Sequence, residues 1–81
     1  MEKAMIMVRA DWDPEALVWV ASSNDIFGLN VEAESLEELA PKVIGAITDL
    51  LEVNGYTGNL PELPVHISAE RIGRVPTPRA A

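Results

Sequence analysis

The sequence predicts a small α+β domain with the element order β-β-β-α-β, one helix packed on one face of a four-stranded sheet. Three observations predict it. Ile6, Val8, Ala10 and Trp12 alternate with Met5, Met7, Arg9 and Asp11, the period-two pattern of a strand. Ser35-Leu36-Glu37-Glu38 is a capping box, and a single apolar helical stripe follows it. Two further short β-rich runs, Leu29 to Glu34 and Val65 to Ala69, flank that helix on either side.

The first strand is expected over Ala4–Trp12. Asp13-Pro14-Glu15-Ala16 then places Asp and Pro where the first two positions of a type I turn favour them. Leu17 to Ser22 is β-rich and completes a hairpin. A four-residue loop pairs Trp12 with Leu17, Ala10 with Trp19 and Val8 with Ala21. That register collects Ile6, Val8, Ala10, Trp12, Leu17, Trp19 and Ala21 on one face, the predicted core face. Met5, Met7, Val18 and Val20 fall on the other, interrupted by Arg9, Asp11 and Ser22.

Ser23-Asn24-Asp25 and Gly28 supply turn chemistry before the third strand. In the helix, Leu36, Leu39, Ala40, Val43, Ile47, Leu50 and Leu51 mark the buried stripe, and Asn54-Gly55 offers the left-handed residue that ends it. Pro41 removes a helical donor and crowds the carbonyl four residues back, so a kink or a separated first turn is expected there. Pro61 and Pro64 bracket a loop before the last strand. A right-handed crossover through the helix sets that strand beside the first and parallel to it. One helix covers one face only, leaving Met5, Met7, Val18 and Val20 as an apolar patch suited to an oligomer or partner contact.

Residues 1–70 are read as the domain and 71–81 as a basic flexible tail. All thirteen acidic residues precede Arg71, against Lys3, Arg9 and Lys42, a net charge of −10, while Arg71, Arg74 and Arg79 make the tail +3. An acidic body repels nucleic-acid phosphates and steers basic proteins toward itself. No apolar stretch is long enough for a membrane span and no secretory signal is recognisable, so a cytoplasmic location is expected. A chain of 81 residues without cysteine has neither disulfides nor thiolate–zinc clusters to stabilise it. A homodimer or higher even oligomer is therefore expected.

Residues for covalent or metal chemistry are sparse. The single histidine, His66, sits on the short last strand, and a lone strand histidine is more often structural than catalytic. Ser22, Ser23 and Ser68 lack a nucleophile-elbow setting, and the five glycines match no phosphate-cradling spacing. Asp11, Asp13 and Glu15 cluster at the first turn without the ligand series of a calcium loop. No catalytic residue, cofactor or metal site is assigned.

Several segments together resemble a known pattern: Trp12-Asp13-Pro14-Glu15-Ala16, Val18-Trp19-Val20-Ala21-Ser22, Asp25-Ile26-Phe27-Gly28-Leu29, Glu32-Ala33, Leu36-Glu37-Glu38-Leu39 and Leu50-Leu51-Glu52-Val53-Asn54-Gly55. The chain resembles a small bacterial family within the HicB-like antitoxin superfamily over about two thirds of its length. Leu17 stands where such sequences often have glycine, Phe27 where they often have proline, and Pro41 departs from the helix pattern. The resemblance implies a partial ribonuclease-H-like fold and an antitoxin that neutralises a small basic HicA-type ribonuclease toxin. It implies no nuclease activity here, because only Glu70 near the end of the last strand accompanies Asp11. The roughly eleven residues beyond that strand are too few for a helix-turn-helix, so direct DNA binding by this chain alone is not expected. Partner-binding residues are expected at Asp25, Phe27, Glu32 and Glu34, where an aromatic loop residue joins alternating carboxylates. The competing readings are a homo-oligomeric domain without a toxin, and a carboxylate–metal enzyme.

Overall fold

Strand β1 (Ile6–Asp13) lies inside a four-stranded sheet, hydrogen-bonded on both sides, in a computed structural model that describes residues 5–54 and 62–78. Its neighbours are β2 (Val18–Ser22), antiparallel, and β4 (Val65–Glu70), parallel. Beyond β2 lies β3 (Val31–Ala33), antiparallel to it, giving the order β3-β2-β1-β4. Helix α1 (Leu36–Val53) connects β3 to β4. The α+β order and the placement of β4 beside β1 are those the sequence predicts.

The core follows from the alternation. Ile6, Val8 and Ala10 of β1, Ala21 of β2 and Ala33 of β3 are buried with Leu39, Val43 and Ile47 of the helix. The three helical residues recur every four positions and so share one face. Beneath them the register aligns Val31, Ala21, Ala10 and Ala69 in one row across the sheet. Ala10 and Ala21, both fully buried, let the helix approach closely. The helix lies mainly over β3 and β2, so Val65 and Ile67 of β4 are only half-buried and Ala69 is exposed.

The hairpin departs from its expected register by two residues. Trp12 pairs with Trp19, Ala10 with Ala21 and Asp13 with Val18. An even displacement keeps every side chain of the two paired strands on its predicted face. Turn chemistry at Asp13 causes the shift. The Asp13 carboxylate accepts from the Glu15 and Ala16 amides at 3.0 and 3.2 Å, and its carbonyl accepts from Leu17 N–H at 2.8 Å. Leu17 thus closes the loop rather than opening β2. It adopts φ 58° and is 63% exposed, so its expected place on the core face is corrected. The positive φ is the conformation that glycine would favour at this position.

Other boundaries shift modestly. The first strand starts at Ile6 and reaches Asp13, and the third is confined to Val31–Ala33, with Leu29 buried from the preceding loop. Gly28, at φ 90°, turns that loop toward Leu50 of the helix. Ser35 caps α1 as predicted, its hydroxyl accepting from Glu38 N–H at 3.2 Å. The helix runs through Pro41 as one 18-residue element, so the first turn is not set apart. Pro41 and Glu37 are both exposed, which leaves the Glu37 carbonyl open to water. At the other end Asn54 has φ −83° rather than a left-handed conformation, its amide bonded to the Leu50 carbonyl. Gly55 and Pro61 lie outside the described residues.

Candidate functional site

The helix-free face of the sheet is built by the residues that alternate with the core. The register places Glu32, Val20, Asp11 and Glu70 in one row crossing all four strands. One step toward the hairpin, Asp13 faces Val18; one step the other way, Ser22, Arg9 and Ser68 align. Val18 and Val20 are therefore flanked by carboxylates, with Asp11 and Asp13 on β1 and Glu32 on β3. Both valines are half-buried and Glu32 is exposed.

Charge on this face is organised around Arg9. Its Nε donates to both carboxylate oxygens of Asp11, at 3.2 and 3.1 Å. Hydrogen bonding to Asp11, the Asp11 charge and the Glu70 charge together raise the Arg9 pKa, so the guanidinium is held positive under all ordinary conditions. Carboxylates still outnumber it across the row. Asp13 spends one carboxylate oxygen on the turn amides. Among the described residues no three His, Asp or Glu side chains form a group able to hold a metal ion, and no helix there is long and apolar enough to cross a membrane.

Met5 and Met7 lie on the same face at the opposite end from the hairpin, 41% and 46% exposed. The expected apolar patch is therefore two patches: Met5 and Met7 at one end, Val18 and Val20 at the other, separated by Arg9, Asp11 and Ser22. The loop after β2 is clipped to the methionine end. Asp25 Oδ2 accepts from Met7 N–H at 2.8 Å, while Ser23 Oγ donates to the Met7 carbonyl at 2.6 Å and accepts from Asp25 N–H at 3.0 Å. Beside this clip a shallow crevice of about 550 Å³ opens between Arg9, Ser22, Asn24 and Ser68.

The four residues expected to meet a partner are thus not brought together as one cluster. Asp25 is half-buried with its carboxylate engaged by the Met7 amide. Phe27 projects from the same loop, 93% exposed, between the buried Ile26 and Leu29. Glu32 joins the carboxylate row on β3, and Glu34 is exposed one residue past that strand. His66, opposite Met7 on β4, is exposed.

Two features escape the sequence reading. The parallel pairing of β1 with β4 is the one the crossover predicts, but the register that sets Asp11 opposite Glu70 is not. The second is the exit of the C-terminal segment. Trp12 and Trp19 meet edge to face with centroids 5.4 Å apart, and the Arg71 guanidinium lies 4.5 Å from a Trp12 ring centroid. Continuing the parallel register by one residue past Asp11–Glu70 brings Arg71 to Trp12, so the strand order contains the signal once it is known. Both tryptophans are half-buried; Trp19 packs against the core, and Trp12 carries Arg71 on its ring.

A family model described as "Domain of unknown function (DUF1902)" matches residues 5–76. Among solved structures, the crystal structure of hypothetical protein TTHA1013 from the extremely thermophilic bacterium Thermus thermophilus is similar, with a TM-score of 0.66 and 42% identity. The match covers 90% of this chain and 99% of that one. No curated protein matches the chain.

Proposed function

We propose that this chain, which belongs to the family described as Domain of unknown function (DUF1902), acts as a partner-binding module that neutralises a small basic HicA-type ribonuclease toxin. The observation that carries the reading is the carboxylate row Glu32–Val20–Asp11–Glu70 on the face the helix leaves open. Carboxylates beside half-buried valines offer a basic RNA-binding surface both charge complementarity and apolar contact. Covering that surface excludes RNA and requires no chemistry from the covering protein. The family resemblance in the hairpin and helix segments supports the same reading. Arg9, clamped on both oxygens of Asp11, favours a binding role over a carboxylate–metal site, since a cation already neutralises the central carboxylate.

The test is a titration of purified chain into a HicA-type toxin encoded beside it, with RNA cleavage as the readout. Cleavage is expected to fall to background near stoichiometric addition. The variant Glu32→Lys with Glu34→Lys is expected to slow association about tenfold or more and to flatten its salt dependence. Unchanged RNA cleavage at excess wild-type chain defeats the antitoxin reading. A low-salt association rate indifferent to the double reversal removes β3 from the interface.

A further inference from the structure

Residues 71–78 form no helix or strand, and every one of them is exposed. Ile72 and Val75 leave 86% and 87% of their surface to solvent, more than any core-forming aliphatic side chain here. Yet the segment does not leave the body at random. Arg71 is held over Trp12 at 4.5 Å, and Ile72 and Arg74 border a crevice with Arg9, Asp11, Trp12 and Pro14, so the root of the arm stays beside the hairpin with its aliphatic side chains bare. The whole molecule has a radius of gyration of 16.5 Å, against about 12 Å for a globule of this length. Two bare aliphatic side chains on an extended arm present apolar surface open to another molecule.

The chemistry of the arm selects its acceptor. Arg71, Arg74 and Arg79 give it three positive charges in a chain whose remainder carries −10. Val18 and Val20, with Asp11 and Asp13 on one side and Glu32 on the other, offer the complementary pattern: an apolar stripe between carboxylates. We infer that the arm of one copy, Ile72 to Pro78, lies across the Val18–Val20 stripe of a second copy, with Ile72 and Val75 on the valines and Arg74 among the carboxylates. A two-fold axis makes the exchange reciprocal, each copy giving one arm and receiving one. The area is sufficient. An arm of roughly 0.7 kDa exposes on the order of 1,000 Å² as an open chain. Burying half of each of two arms, with an equal area on the acceptors, comes to about 2,000 Å², above the ~1,600 Å² of a standard specific interface. The inference concerns the face assigned above to the toxin but needs no toxin, so either can fail while the other stands.

The chain contains no cysteine, which makes the placement directly testable. Light scattering on the full chain at tens of micromolar is expected to give the mass of two copies. A chain ending at Glu70, and Ile72→Asp with Val75→Asp, are both expected to give the mass of one copy while retaining the wild-type circular dichroism spectrum. An equal mixture of Ile72→Cys and Val20→Cys copies, oxidised gently, is expected to yield the mixed 72–20 disulfide as the main product. A full chain that runs as a monomer, a dimer that survives the truncation, or oxidation giving only like-with-like disulfides overturns the inference.

Discussion

Leu17→Gly should stabilise the domain, and the structure supplies the magnitude. Leu17 holds φ 58° at the end of the hairpin loop, a region that costs an L-residue with a Cβ about 1–2 kcal/mol. Its side chain is 63% exposed, so little burial is lost on removing it. Glycine relieves the strain but widens the unfolded ensemble, which returns about 0.5–1 kcal/mol. The net expectation is a gain of about 0.5–1 kcal/mol, or a rise in Tm of about 2–8 °C for a domain of this size. Urea and thermal denaturation at one fixed protein concentration measure it, since self-association makes Tm depend on concentration. Leu17→Ala is the control: it removes the same exposed side chain but keeps the Cβ, so it should gain almost nothing. Equal stabilisation by alanine and glycine would refute the backbone argument, as would any loss on introducing glycine.

Three more outcomes follow from the packing and the caps. Leu39 is fully buried at the centre of the helix stripe, and Leu39→Ala should cost about 2–5 kcal/mol in urea denaturation. Ser35→Ala removes the acceptor for Glu38 N–H and should cost about 1 kcal/mol, with helix content near Leu36 lowered in hydrogen exchange. Asp25→Ala leaves the Met7 amide without its acceptor at 2.8 Å. The expected result is a loss of about 1–2 kcal/mol together with faster exchange of that one amide, the neighbouring core amides being unchanged.

What was legible in the sequence was whatever depends on local period and local chemistry. The alternation from Ile6 to Trp12 assigned the core face correctly, and Ser35 with Glu38 located the helix start to the residue. Even the shifted hairpin kept its faces, because the error was an even number of residues. What was not legible depends on long-range pairing or on unusual backbone. Leu17 reads as a β-former, and only the Asp13 turn reveals why a leucine occupies a left-handed position. The crossover places β4 beside β1, but only the register of that pairing sets Glu70 opposite Asp11 and so in the carboxylate row. Phe27, expected at a partner surface, is exposed although Ile26 and Leu29 on either side of it are buried.

The position of β1 has a consequence for how the chain folds. One side of this strand is zipped by its nearest neighbour, with Asp13 paired to Val18, and the other by its most distant, with Ile6 paired to Val65. The hairpin closes a loop of about four residues, whereas joining β4 closes a loop of nearly sixty. Loop closure grows more costly with length, and folding slows as contacts become less local. The hairpin and the helix therefore have the means to assemble early, and docking of β4 is expected to be the slow step. On a ribosome β1 emerges before β4 and waits for β2, β3 and the helix to follow before its second edge is covered. During that interval the unpaired edge of β1 is the most association-prone element of the growing protein.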